Sequence, residues 1–216
     1  MQSILVHPAY FGPISQWVAM VQAQKLVFEN EDNYQKQTYR NRLYLYDSNG
    51  KLSLNIPIKH SSSLGLDTNG RQKYKEVQIE NDFDWQKQHW RAFKTAYQTS
   101  PFFEFYEDDL YPLFHTEYKY LMDFNYDCMQ FVADCLQIEL NFDKTDEYIL
   151  KPRKIIDLRS LINAKSDKEF GLSAYAQVFE EKHGFLEDLC VLDLLFNEGN
   201  NSLNYLKEQK LELDLA

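Results

Sequence analysis

The first thirty residues alternate short apolar runs with an amphipathic stretch. Residues 3–6 and 25–28 are apolar runs of strand length, and between them apolar side chains recur at helical spacing from Ile14 to Val21. Gly12-Pro13 marks a loop before this helix, because proline suits the first helical turn and glycine interrupts regular structure. The pattern predicts strand, loop, helix and strand, the beginning of an α/β unit.

The next apolar pattern indicates a hairpin. Residues 43–46 and 51–58 are strand-like, and Asn49-Gly50 between them is a preferred turn pair. The polar residues 59–75 that follow predict a loop, which is either simply exposed or a lid over a site.

The middle of the chain shows helical periodicity. Asp84 is a plausible N-cap for a helix that places Trp85, His89, Phe93 and Tyr97 on one face. A further helix is predicted over about 116–136, and residues 148–150 indicate another strand. We therefore expect an α/β fold with a mixed sheet, as a single domain over residues 1–216 with a helical lobe at about 85–137.

Composition and charge narrow the class of partner. The 216 residues carry a net charge of −10, which disfavours non-specific binding to nucleic acid or to an anionic membrane. No apolar run approaches the roughly 18 residues that a membrane span needs, and the N-terminus does not resemble a secretion signal. Three cysteines agree with a cytoplasmic location, which we expect by default.

Several common motifs are missing from the sequence. The seven glycines form no dinucleotide-binding or phosphate-binding loop, and the five histidines show no paired metal spacing. We therefore expect neither a structural zinc site nor an ordinary dinucleotide fold, and the sequence identifies no cofactor.

The most distinctive stretch is basic although the protein is acidic. No Asp or Glu occurs from residue 33 to residue 46, where cations lie among tyrosines and amides. Arginine grips phosphate oxygens in a bidentate manner and tyrosine stacks on rings, so the stretch suits a small phosphate-bearing or nucleotide ligand. The binding candidates are Tyr34, Lys36, Tyr39, Arg40, Asn41 and Arg42.

Strand geometry does not say which side chains of this stretch face a ligand and which face water. Side chains alternate along a strand, so Arg40 and Arg42 would share one face and Asn41 the other. If the arginines face the site, Asn41 is structural. If they face water, Asn41 is the better ligand candidate.

Candidate catalytic groups follow the first two predicted strands. His7 and Tyr10 come after the first strand, and Glu31 and Asp32 after the second. Ligands of open α/β sheets bind at the carboxyl ends of strands, so His7, Glu31 or Asp32 could transfer a proton and Tyr10 could contact a ligand. A structural histidine beside a rigid proline turn is the alternative for His7.

A late polar set lies within apolar surroundings. It comprises Tyr175, Gln177, Asp193 and Asn197. These residues are either substrate-binding or structural, since a buried Asp193 must be hydrogen-bonded and could pair with Arg40.

The order of several motifs resembles that of the WbqC-like family of bacterial proteins. These motifs are His7-Pro8-x-Tyr10-Phe11, Tyr39-Arg40-Asn41-Arg42, Ile56-Pro57-Ile58-Lys59, Tyr175-x-Gln177-x-Phe179 and residues 192–199. The family is linked to gene clusters for bacterial surface polysaccharide (O-antigen). The resemblance implies a role in making or modifying sugar building blocks as phosphate- or nucleotide-activated substrates.

We therefore expect a transferase of surface-polysaccharide precursor biosynthesis, acting on a nucleotide-activated or phosphorylated sugar. The alternative is a non-catalytic module that binds a glycan or a polysaccharide-assembly partner. The opening strand, turn and helix are also similar to nucleotidyltransferases of the class I synthetase type, although their His-x-Gly-His signature is missing.

Overall fold

The computed structural model describes residues 3–59, 65, 72–166 and 168–212. Its central sheet has four parallel strands in the order β5-β2-β1-β6, with bounds Ser3–Val6 (β1), Lys25–Phe28 (β2), Phe142–Lys144 (β5) and Ile156–Asp157 (β6). An antiparallel hairpin stands apart from this sheet and comprises Arg42–Asp47 (β3) and Gly50–Asn55 (β4). The predicted α/β class is confirmed, with the parallel strands and the hairpin in two sheets rather than in one mixed sheet.

One helix separates β1 from β2, and the other helices lie in the middle and at the end of the chain. They are Ile14–Gln22 (α1), Trp85–Tyr97 (α2), Phe103–Leu110 (α3), Leu121–Cys135 (α4), Glu180–His183 (α5), Val191–Glu198 (α6) and Ser202–Glu208 (α7). Short 3-10 turns cover Tyr74–Glu76, Tyr111–Phe114, Arg159–Ile162 and Gly199–Asn201. Helices α2, α3 and α4 lie within the range expected for the helical lobe, whereas one domain over residues 1–216 stays a prediction.

The loop between β1 and α1 is fastened to the helix by two side chains. The indole of Trp17 donates a hydrogen bond to the Phe11 carbonyl at 2.6 Å, and the amide of Gln16 donates one to the His7 carbonyl at 2.7 Å. Gly12 has a φ of +80°, and a Cβ there would lie 2.8 Å from the Gln16 side-chain oxygen. The positive φ favours glycine, and a Cβ here would push against the Gln16 side chain, whose amide holds the His7 carbonyl.

The face of α2 that the periodicity predicts is buried. Trp85, His89, Phe93 and Tyr97 all lie in the interior, and Phe93 and Tyr97 are fully enclosed. Burial lowers the pKa of His89 to about 4, so its ring is neutral. The helix is thus held by its apolar stripe, as its amphipathic pattern requires.

The strand expected at residues 148–150 is wrong. Ile149 and Leu150 are exposed, Leu150 to 72%, and the edge of the sheet beside β1 is occupied by Ile156, which pairs with Ile4. A three-residue apolar run cannot be distinguished from an exposed segment by its pattern, because only pairing with a neighbouring strand makes it a strand.

The polar loop at residues 59–75 falls mostly outside the described residues, so the lid expected there is not placed. None of the helices in the described part of the chain combines the length and the hydrophobicity that crossing a membrane needs.

Candidate functional site

A cleft of about 890 Å³ opens at the carboxyl ends of the parallel strands. His7 follows β1, Asp32 lies a few residues after β2, and Asp157 ends β6. This is the edge at which open α/β sheets bind ligands. Sixteen residues line the cleft: His7, Asp32, Gln35, Lys36, Thr38, Arg40, Tyr148, Pro152, Ile155, Ile156, Asp157, Arg159, Ser160, Ile162, Asn163 and Lys165.

His7, Arg40 and Asp32 meet on one guanidinium nitrogen in the cleft. Nη2 of Arg40 lies 2.8 Å from Oδ2 of Asp32 and 2.9 Å from Nε2 of His7. Because Nη2 carries two hydrogens, it can donate one to the carboxylate and one to the imidazole. Nε2 of His7 and Oδ2 of Asp32 are 3.4 Å apart, and Arg40 contacts both atoms.

Burial and the neighbouring charge of Arg40 favour the neutral form of the His7 ring. Nη2 of Arg40 lies 2.9 Å from Nε2 and 3.3 Å from Nδ1 of His7. The Glu29 carbonyl oxygen, which can only accept, lies 3.4 Å from Nδ1, so we assign the ring proton to Nδ1 and leave Nε2 as the acceptor. Burial lowers the pKa of His7 well below its usual value, and the positive charge of Arg40 lowers it further. His7 therefore offers a lone pair for a proton rather than a positive charge.

We predict that His7 stays neutral below pH 6.5 and makes folding pH-dependent. Its pKa is lower in the folded chain than in the unfolded chain, so the unfolded state binds more protons below about pH 6.5. The contribution of His7 to stability is present above that pH and is lost as pH falls towards the folded pKa. Nitrogen-15 NMR between pH 8 and pH 5 should show an Nδ1-protonated ring throughout.

The variant His7→Asn assigns the NMR signal and isolates the pH effect. The stability difference between the original chain and the variant should change with pH below about 6.5 and level off above it. A His7 ring that gains its second proton near pH 6.5 in the folded protein would contradict the neutral assignment.

Arg40 packs against Tyr74 and Asn125, and some of its hydrogen-bond donors have no acceptor among the described residues. Its side chain is only 1% exposed, and its guanidinium lies over the Tyr74 ring with 5.1 Å between the guanidinium carbon and the ring centroid. Asn125 donates a hydrogen bond to the Arg40 carbonyl at 2.6 Å. The Nε hydrogen has no partner among the described residues, and Nη1 reaches only Thr38 at 3.5 Å. The guanidinium therefore keeps hydrogens on Nη1 for an anionic ligand, whereas its Nε is enclosed by protein.

A second arginine in the cleft is fully engaged. Arg159 binds Asp157 through two hydrogen bonds of 2.8 and 2.6 Å and reaches buried Glu29 at 3.2 Å. Although burial opposes it, hydrogen bonding from Arg159 lowers the pKa of Asp157. Arg159 is thus a fixed part of the wall, in contrast to Arg40. Among the described residues, no three His, Cys, Asp or Glu side chains are grouped to hold a metal ion.

Four of the residues proposed from the sequence line the cleft: His7, Asp32, Lys36 and Arg40. Glu31 points elsewhere and pairs with Lys75 at 2.6 Å. The side chains of the proposed tyrosines also lie outside the cleft.

Three of the four tyrosines proposed as ligands, Tyr10, Tyr34 and Tyr39, pack against protein. Tyr10 is fully buried, with its hydroxyl 2.9 Å from Nδ1 of His89. Tyr34 packs towards Tyr74, with 6.5 Å between ring centroids. Tyr39 is buried against Tyr44, and it lines a neighbouring cleft of about 540 Å³.

Which side chains of the basic stretch face the cleft depends on where strand β3 begins. Arg40 precedes the strand and turns into the cleft, while Arg42 is the first residue of β3 and donates to the Asn55 side chain at 2.7 Å. Asn41 donates to the Ile56 carbonyl at 2.9 Å. The alternation argument does not apply across this boundary, so one arginine faces the cleft and the other lies on the hairpin.

The late polar set forms a buried cluster around Asp193. Its carboxylate accepts hydrogen bonds from Tyr97 at 2.7 Å and from Tyr175 at 2.6 Å, and Gln177 approaches it at 3.2 Å. Asn197 donates to the Asp193 carbonyl at 2.8 Å. None of these residues lines the cleft, and the partner of Arg40 is Asp32 rather than Asp193.

Sequence reasoning missed the wall formed by Tyr148, Asp157, Arg159 and Lys165. One usable signal was present. Asp157 follows two isoleucines just as Glu29 follows the apolar strand β2, and a charged residue directly after an apolar run marks a strand end. Arg159 could not be linked to Glu29 by pattern because 130 residues separate them.

Comparison with known proteins identifies a protein family whose model this chain matches. The model of the WbqC-like protein family matches residues 7–170, which is more than half of the chain and includes every residue that lines the cleft. The late motif at residues 175–199 lies beyond the matched range. The uncharacterized protein Rv1507c of Mycobacterium tuberculosis is 26% identical over 212 residues, covering 85% of this chain and 87% of that protein. No solved structure matches the chain significantly.

Proposed function

The chain belongs to the WbqC-like protein family, and from that membership and the cleft we propose an enzyme that transfers a group to or from a phosphorylated or nucleotide-activated sugar. Family membership suggests a role in a polysaccharide-related pathway. The observation that carries the proposal is the meeting of His7, Arg40 and Asp32 inside a cleft at the carboxyl ends of parallel strands.

The charges of the cleft support an anionic ligand. Among the described residues, Lys36 and Lys165 at its rim have no acidic partner, and Arg40 has spare donors. The chain as a whole carries a net charge of −10, so an anion is repelled by most of the surface. A local excess of cations with a buried guanidinium is therefore a site where phosphate oxygens can bind.

The proposed chemistry uses His7 as the proton acceptor. When a bound phosphate draws the Arg40 hydrogen away from Nε2 of His7, that nitrogen is free to accept a proton. A hydroxyl or amino group of the acceptor then attacks the activated atom and passes its proton to Nε2 as the new bond forms. The bond to the leaving phosphate oxygen breaks, and Arg40 and the rim lysines stabilise the charge that develops on that oxygen. Binding of a phosphate beside Arg40 would also offset the positive charge that lowers the pKa of His7, which makes the ring a better base.

We predict that phosphate-bearing sugars bind this cleft and that the rim lysines contribute. Isothermal titration calorimetry with a nucleotide sugar, a sugar 1-phosphate and the neutral sugar should detect binding of the two phosphorylated compounds only. Lys36→Ala and Lys165→Ala should each weaken binding by about twofold to fivefold, because each removes one solvent-exposed attraction. The effect should shrink as salt concentration rises.

Lys87→Ala is the matched control, since Lys87 is exposed on α2 and pairs with Asp84 away from the cleft. It should leave affinity unchanged. If the folded protein binds neither phosphorylated compound at millimolar concentration, the proposed function is wrong. Binding of the neutral glycan alone would favour the non-catalytic module instead.

A further inference from the structure

Among the described residues that line the cleft, Tyr148 is the one tyrosine. This side chain is 43% exposed and lines the same cleft as Arg40. Pro152, Ile155 and Ile156 also line this cleft and add apolar surface to it. Tyr34 and Tyr39, the stacking candidates suggested by the sequence, do not reach this space.

Arg159 supports the ring of Tyr148 from one side. Its guanidinium carbon lies 5.1 Å from the centroid of the ring, which is the distance of a cation–π contact. Arg159 cannot leave this position easily, because Asp157 binds it twice and Glu29 holds Nη1 at 3.2 Å. The network therefore places an aromatic ring on a rigid base while leaving part of it uncovered.

The lining of the cleft offers two kinds of contact that a nucleotide can use. Arg40, Lys36 and Lys165 are cationic and suit phosphate. The exposed ring of Tyr148 suits a heteroaromatic ring, because every nucleobase has a face that stacks on an aromatic side chain.

We propose that Tyr148 is the stacking platform for the nucleobase of a nucleoside diphosphate sugar, and that Arg159 positions this ring. The inference rests on the proposed function and narrows its substrate class from phosphorylated sugars in general to nucleotide-activated ones. Arg159 is a positioning residue here, since ion pairs with Asp157 and Glu29 hold its guanidinium beside the Tyr148 ring.

The test compares ligands with and without a base. Uridine diphosphate, adenosine diphosphate and glucose 1-phosphate are titrated against the original chain, Tyr148→Ala and Tyr148→Phe by calorimetry. Tyr148→Ala should weaken the binding of a nucleoside diphosphate by about tenfold, and Tyr148→Phe should leave it nearly unchanged. The affinity for glucose 1-phosphate should be the same in all three proteins.

Tyr111→Ala serves as the control, because Tyr111 is similarly exposed, to 47%, and lies against His115 rather than in the cleft. The inference is overturned if Tyr148→Ala weakens all three ligands equally, or if glucose 1-phosphate binds as tightly as the nucleotides. Both results leave the proposed function standing, whereas absence of binding by all three ligands overturns both. Thermal unfolding of each variant checks that it is folded.

Discussion

Replacing Arg40 with methionine is expected to lower the free energy of unfolding by about 3–5 kcal/mol, because it leaves a buried carboxylate without its ion partner. Asp32 and Arg40 are both buried, and 2.8 Å separates their hydrogen-bonded atoms. Methionine fills a similar length of side chain, so the loss reflects the missing charge and hydrogen bonds more than a cavity. Equilibrium unfolding in urea measures the change.

A second substitution separates the structural role of Arg40 from ligand binding. Asp32→Asn combined with Arg40→Met removes both charges, so it should recover a large part of the lost stability. It should not recover the binding of phosphorylated ligands, because the guanidinium is still missing. Recovery of both properties in the double variant would show that Arg40 has only a structural role.

Arg42→Met is the matched control for this pair of variants. Arg42 is two residues away and only partly buried, and its guanidinium binds Asn55 on the hairpin. Its replacement should change stability by less than about 1 kcal/mol, as is usual for polar contacts near the surface. If Arg40→Met is as mild as Arg42→Met, the buried ion pair does not have the importance assigned to it here.

Replacing Asp193 with alanine is expected to cost about 3–5 kcal/mol of folding stability, since it leaves several buried donors without the acceptor that they share. The hydroxyls of Tyr97 and Tyr175 both point at this carboxylate in a fully buried position. Both would lose their acceptor without access to water. Asp193 also lies in the first turn of α6, where the helix dipole favours a negative charge.

Tyr97→Phe and Tyr175→Phe provide graded tests of the same cluster. Each removes one donor and should cost about 1–2 kcal/mol, less than the loss of the shared acceptor. Ligand affinity of Tyr175→Phe should match that of the original chain, because the cluster lies outside the cleft. A loss of affinity without a loss of stability would instead assign Tyr175 to ligand binding.

Much of the local structure near the site follows from the sequence. Strand β1, helix α1 and strand β2 are found where the apolar spacing predicts them, and Gly12-Pro13 marks the loop between them. These features are predictable because periodicity and the backbone preferences of glycine and proline act over a few residues. The position of His7 at a strand end follows from the same pattern.

The candidate ligands in the basic stretch were harder to choose. Lys36 and Arg40 line the cleft, whereas Tyr34, Asn41 and Arg42 do not. The reason is that Arg40 precedes β3, so the alternation of a strand does not apply to it. The tyrosines are drawn into the core by their large apolar surface, which a local pattern of charges does not reveal.

The sequence by itself determined the α/β class, the first strands and helix, and a basic segment free of acidic residues. The tertiary structure decided that Arg40 rather than Arg42 faces the cleft, that Asp32 rather than Asp193 is the partner of Arg40, and that Tyr148 and Arg159 complete the wall. Local sequence patterns determine secondary structure through backbone preferences and through the burial of one face of a helix or strand. Partners for buried charges are instead selected by contacts between distant segments, such as Arg159 and Glu29, which are 130 residues apart.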